Sequence, residues 1–396
     1  VATGFANLSE GNTVFETVGK WKARETQAEM KVTLNYVGED AESPQVILCN
    51  GGQTESVSKQ CSFAPLSLSV PTFAVGEYSE LDQQATTVNY LNDHKSAADN
   101  YALASELAVP FVTEWFGVPK EKIDVVELPD PNAAPFESGT LLLTPLGSSD
   151  SRLYRLNAVH QLTHAAFPSQ REWIYEGLAH FAQALDREQQ GGRQAALDFM
   201  APHRASIADV EKTLAANRKN DTNDALINTS NEEFYRSKAM FVWWMLRDML
   251  GEQPLKKALA AYRPDQDKDP AYMQHLLETQ SRRDLQWFFD GWVYHDRGLP
   301  QVRVESAYAR AITGNGYVVT VTVENPGDVG AEIPLTLKMI EGEITRRLEV
   351  HAKAKVSVRI DCLSTPIEAV VNDGSVPQND MSKNVFKIEI PATAPK

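Results

Sequence analysis

A multidomain α+β protein is predicted, with a β-sheet N-terminal part over about residues 1–80, a mainly helical part over 81–300 and a C-terminal β-sandwich over 301–396. Three observations predict it. Apolar residues alternate with a period of two up to about residue 75, repeat at helical spacing between capping residues from about 85 to 295, and return to a period of two after Pro300. A chain of 396 residues with 42 % hydrophobic content can bury a core in each part.

In the first part the alternation runs through "MKVTLNYV", "PQVILCN" and "SLSVPTFAVG". The helical part includes "SSDSRLYRLNAVHQLTHAAF", which has Ser149 or Asp150 as cap, an apolar stripe at Leu153, Leu156, Val159 and Leu162, and Pro168 to end it. A second helix starts near Arg171 and is stopped by Gly191 and Gly192. Further helices are predicted at "NEEFYRSKAMFVWWMLRDMLG", "QPLKKALAAYR", "PAYMQHLLETQ" and "DLQWFFDGWVYH". The last part reads as strands at "YVVTVTVENPG", "EIPLTLKMI", "RRLEVHA", "KVSVRIDC" and "FKIEIP", joined by Asn-Pro-Gly and Asn-Asp-Gly turns.

The 53 acidic residues outnumber the 38 basic ones, for a formal charge of -15, and no Lys/Arg-rich run breaks the excess. That balance disfavours nucleic acid or an anionic membrane as partner and is tolerant of substrates carrying a free amine. The apolar runs are too short to span a bilayer. The chain begins at Val1, so residue 1 is read as a processing point or an expression boundary, and a secreted or periplasmic location is expected, with the signal lying upstream. Cys49 and Cys61 flank a loop and form either a small disulfide ring in an oxidising compartment or two buried thiols; Cys362 has no evident partner.

The chemistry concentrates in "AVHQLTHAAFPSQREWIYEGLAHFAQAL". His160 and His164 are four apart on a helix, so both imidazoles leave one face about a turn apart, as two nitrogen ligands of one zinc require. Glu176 on the next helix is the natural third ligand, since the break at Pro168 lets that helix turn back. His180 is either a group behind the ligands or a polar residue of the helix face.

With "W-x-x-E-G-x-A" downstream of H-x-x-x-H, the chain resembles the thermolysin-like zinc peptidases called gluzincins, closest to the alanyl aminopeptidase and leukotriene hydrolase branch. That family pairs H-E-x-x-H with a glutamate in "W-L-N-E-G-F-A". "APLSLSVPTFAVGEYSEL", "WFGVPKEKIDVVELPDPNAAPFESGTLLL", "SKAMFVWWMLRDMLGEQPLKKAL" and "DLQWFFDGWVYHDRGLPQVRV" match in order, so the resemblance covers about residues 60 to 303, with a weaker echo in "AEMKVTLNY". It implies a thermolysin-like catalytic domain, zinc held by His160, His164 and Glu176, and peptide substrates with a free N-terminus. Glu137 falls on the glutamate of the family's G-A-M-E-N loop, which holds the substrate's α-amine; the other reading is an exposed loop acid. A second amine anchor would come from Glu10, Glu16 or Glu25.

The departures are specific. Gln161 stands where the family has its general-base glutamate, and an amide has no basic site for the water's proton; that assistance is worth about a hundred- to ten-thousand-fold in rate. An engineered shape-preserving exchange and a natural variant are both open. Ala134, Pro135, Phe136 and Ser138 replace the other loop residues. The His164–Glu176 linker is short, like that of more distant bacterial gluzincins. In "FYRSKAM", aligning Lys238 with the family's "Y-x-K-G" puts Arg236, not Tyr235, at the transition-state tyrosine, so Tyr235 reaches the metal only if the helix is locally shifted by one residue, about 100°. Otherwise Arg236 stabilises the oxyanion or the role is empty.

The expectation is a zinc metallopeptidase of aminopeptidase type impaired at Gln161. The alternative is an inactive pseudopeptidase that keeps zinc to bind peptides or a protein partner. A third reading satisfies these polar groups within a helical core, without metal.

Overall fold

The computed structural model describes residues 4–9, 12–17, 29–35, 46–49, 54–55, 58–63, 72–147, 151–217, 225–229, 231–312 and 316–390. The chain forms two compact units, Val1–Tyr175 and Glu176–Lys396, with helices and several sheets in a multidomain α+β architecture.

The first unit holds three sheets. Strands β1 (Gly4–Ser9), β2 (Asn12–Thr17), β3 (Met30–Asn35), β4 (Val46–Cys49), β5 (Thr54–Glu55), β6 (Ser58–Phe63) and β7 (Phe73–Gly76) make a four-stranded sheet in the order β1-β2-β7-β4 and a three-stranded sheet β3-β6-β5. A Cys49–Cys61 disulfide joins β4 to β6 in a small core with Phe63. Of the two pairings open in the sequence, the structure thus has the bond; Cys362 is a buried free thiol.

The third sheet departs from the predicted helical periodicity. Strands β8 (Tyr78–Asp82) and β9 (Thr86–Leu91), helix α1 (Lys95–Phe116), then β10 (Ile123–Glu127), β11 (Phe136–Ser138) and β12 (Leu141–Thr144) give the order β11-β12-β10-β9-β8. Here β10 runs parallel to both β9 and β12, while the edge strand β11 is antiparallel to β12 and pairs Glu137 with Leu142. Parallel strands covered on both faces lack the period of two: "LLLT" is buried at every position, and "IDVVE" at every position but Asp124 with Glu127 among the buried ones, so neither alternates. Helix α2 (Ser151–Ala166) follows and ends before Pro168, as predicted. Its cap candidates Ser149 and Asp150 lie outside the described residues. Its predicted stripe is corrected at one end: Leu153 is exposed, and Tyr154 takes the buried place, donating its hydroxyl to the Leu146 carbonyl. From Ala158 to Ala166 the helix is buried on every side, so burial there does not follow an apolar stripe.

Helix α3 (Glu172–Asn217) leads into the second unit and breaks at Gly192, whose positive φ of 75° favours glycine. A π-helical turn, Phe234–Lys238, opens α4 (Ala239–Leu250). Then come α5 (Glu252–Ala261), α6 (Tyr272–Ser281) and α7 (Gln286–Phe289), the last continuing into a π turn at Asp290–Tyr294. Strands β13 (Arg303–Ile312), β14 (Gly316–Asn325), β15 (Ala331–Met339), β16 (Glu343–Val350), β17 (Ala354–Cys362), β18 (Pro366–Val371) and β19 (Val385–Lys387) form two antiparallel sheets, β13-β14-β17 and β16-β15-β18-β19. Asn325 pins the Asn-Pro-Gly turn: its amide donates to the carbonyls of Val329 and His351, and its Oδ1 accepts from the backbone N–H of Gln301 and Gly327. Within this unit, ion pairs of Arg193 and Arg347 with Asp248 and of Arg283 with Glu332 tie the helices to the sheet residues.

The π turn rests on buried charge. Lys238, 1 % exposed, pairs with Glu211 at 3.2 Å and Asp296 at 3.7 Å and lies over the Phe234 ring. Lys238→Met takes the cation away from two buried carboxylates, and is expected to cost about 3–5 kcal/mol of stability. Urea denaturation of the two proteins measures it.

Candidate metal centre

Three elements supply the site. Edge strand β11 carries Glu137. Helix α2 carries His160, Gln161 and His164, all buried, with the histidine Nε2 atoms 3.0 Å apart. Helix α3 carries Glu176 in its second turn.

Local packing orients the α2 residues. The His164 ring stacks on Tyr175 with centroids 3.8 Å apart. The helix closes with Thr163 donating its hydroxyl to the Val159 carbonyl, and the Ala165 carbonyl accepting from the Lys120 N–H. The glycine of "W-x-x-E-G-x-A" has its own reason: a Cβ at Gly177 would lie 2.6 Å from the Ala239 Cβ and 3.1 Å from the Trp243 indole, so α3 and α4 approach only without a side chain there.

The two imidazoles and the carboxylates of Glu137 and Glu176 offer ligand atoms that all lie within 4.8 Å of one another. Four ligands at zinc distances of about 2.0–2.2 Å sit roughly 3.3–3.6 Å apart in a tetrahedron. The separations, 3.0 Å between the histidine nitrogens and 3.0 Å between His160 Nε2 and Glu137 Oε2, are close to those edges. Two buried imidazoles with their Nε2 atoms facing each other beside carboxylates form a donor set that fits a metal ion.

Glu137 is not an exposed loop acid. Its side chain is 18 % exposed, its Oε2 accepts from the Gln161 side-chain amide at 2.9 Å, and the same oxygen meets His160. The missed signal is the distance in sequence: 24 residues separate Glu137 from Gln161, and local periodicity does not report such contacts.

Arg236 sits on the π turn with its Nε 3.4 Å from Glu176 Oε2 and its Nη1 2.6 Å from Glu232. A π turn accommodates one extra residue, a local shift of the kind Tyr235 would need to face the cluster. Tyr235 is half-buried on it, while Arg236 is the residue in ionic contact with Glu176. His180 faces His203 with ring centroids 5.6 Å apart, and His203 bonds the Ser237 hydroxyl, so His180 belongs to an aromatic and polar packing group on the π-turn side of α3. Glu10, Glu25 and the side chain of Glu16 lie outside what is described.

A fold of this kind occurs in an aminopeptidase. The chain is similar to the crystal structure of Legionella pneumophila aminopeptidase A in complex with aspartic acid, with a TM-score of 0.65 and 14 % sequence identity. The match covers 98 % of this chain and 49 % of that one, so the chain spans about half the length of its neighbour, and at this identity the likeness is one of fold. No protein-family model and no curated protein matches the sequence. No described helix is long and apolar enough to cross a membrane.

Proposed function

We propose that the chain is a zinc metallopeptidase of aminopeptidase type, of the gluzincin class, whose hydrolysis is impaired because residue 161 is an amide. The cluster of Glu137, His160, His164 and Glu176 carries this reading. In it, residues 1–80 are a partial N-terminal β domain, 81–300 a thermolysin-like domain and 301–396 a β-sandwich. Substrates are peptides with a free N-terminus. A secreted or periplasmic location agrees with the Cys49–Cys61 disulfide.

His160, His164 and Glu176 would hold the ion, which when bound polarises a carbonyl and acidifies water. Arg236, with Tyr235 beside it, presents a cation next to Glu176 and suits a developing oxyanion. The Gln161 side-chain amide donates to Glu137 and has no site to take a proton from water.

A second reading is favoured by that same hydrogen bond: a pseudopeptidase that keeps zinc and binds peptides or a protein partner without cleaving them. Metal analysis and an aminoacyl-amide panel test the main reading. One zinc per chain with slow hydrolysis that chelation abolishes is expected. A metal-free protein after zinc loading overturns the reading, and fast zinc-dependent turnover overturns the impairment.

A further inference from the structure

The Glu137–Gln161 pair raises a question about the ion's fourth coordination position. We infer that Glu137 is itself a metal ligand, held in place by Gln161, so that the site is closed by four protein groups; this rests on the metal-binding part of the reading above. The resemblance implies a contact between Glu137 and a substrate amine instead.

The geometry favours the ligand role. Glu137 Oε2 lies 3.0 Å from His160 Nε2, and that nitrogen lies 3.0 Å from His164 Nε2. One carboxylate oxygen therefore stands against the ion-facing nitrogens at roughly the spacing of ligands on a common ion. An acid anchoring an ammonium group must leave room for that group between itself and the ion. Here the oxygen already meets the nitrogen that the ion would use.

Gln161 explains why the arrangement holds. Its Nε2 donates to the same Glu137 oxygen at 2.9 Å, leaving the carboxylate fixed but still able to bind a cation. A glutamate at 161 would put two carboxylates within hydrogen-bond distance, and like charges that close do not both ionise readily. The charge count agrees. Two carboxylates, Glu137 and Glu176, neutralise a divalent ion, and Arg236 beside Glu176 is balanced by Glu232. A third carboxylate at the 1 % exposed position 161 would leave excess buried charge.

The family that the chain resembles carries an acid at both positions; here only the edge-strand acid remains, and its role has changed. Structural zinc sites have four protein ligands, whereas catalytic sites keep one position open. Closed in this way, the ion clamps β11 to α2 and leaves little room for a water on it, which deepens the impairment of hydrolysis.

Cobalt(II) in place of zinc, bound to the whole chain, tests this without an activity assay. The parent is expected to show the intense visible absorption of four-coordinate cobalt, unchanged by added azide. Glu137→Ala is expected to weaken cobalt binding at least about ten-fold and to give a spectrum that azide alters. A parent spectrum that responds to azide overturns the inference, and it needs no variant to fold. So does a folded Glu137→Ala protein with unchanged affinity and spectrum, while the zinc reading survives both results. A parent that binds no cobalt and no zinc overturns the metal reading and this inference together.

Discussion

His160→Ala is expected to lower zinc affinity by roughly a hundred- to a thousand-fold. Structural zinc contributes about 10–16 kcal/mol of apparent binding free energy, which shared over four ligands is about 2.5–4 kcal/mol each. His160 is the residue whose nitrogen meets both His164 and Glu137, so its removal breaks the cluster at its centre. Competition with a chromophoric chelator measures the change. His180→Ala is the matched control: His180 packs against His203 and is not among the four clustered groups, so its affinity should match the parent. Equal affinities for the His160→Ala protein and the parent would place the ion elsewhere.

Exchanging the pair, Glu137→Gln together with Gln161→Glu, is expected to raise aminoacyl-amide hydrolysis by at least about a hundred-fold over the parent, the lower end of a general-base effect. The exchange keeps net charge and side-chain size, and leaves an amide facing a carboxylate across the same 2.9 Å, so the fold has no reason to fail. It returns a carboxylate to the helix, where it can accept a proton, and removes the acid from the strand, which opens the ion's fourth position. Gln161→Glu alone should gain less, because Glu137 remains and the two acids repel. If the exchanged protein binds zinc and stays silent, the loss of hydrolysis belongs to the altered loop at Ala134, Pro135 and Ser138 or to the 235–236 register, and the pseudopeptidase reading gains.

Local signals in the chain were informative where physics is local. The histidine pair follows from the 3.6-residue turn, the stop of α2 from Pro168 and the kink in α3 from Gly192. The period-two stretches after Pro300 became strands, and the alternation is followed by burial along β14, which has one buried face. The same rule failed between residues 86 and 144. There β9, β10 and β12 lie side by side, and burial on both faces erases the alternation that sequence reading relies on. The Leu153 stripe failed for a related reason, since α2 is enclosed along its second half and its surroundings, rather than its own pattern, set what is buried.

By itself the sequence determined the helix that carries the histidine pair, the return to strands after Pro300, the metal-ligand spacing of His160 and His164, the candidacy of Glu176, and the amide at 161. The tertiary structure alone decided that Glu137 joins this group, that Gln161 donates to it, and that Arg236 rather than Tyr235 makes the ion pair with Glu176. The physical reason is range. A helix turn relates residues four apart through its own hydrogen bonds, whereas the meeting of Glu137 with His160 depends on how strand β11 pairs with β12, and the register of residue 236 on a single π turn that no periodicity announces.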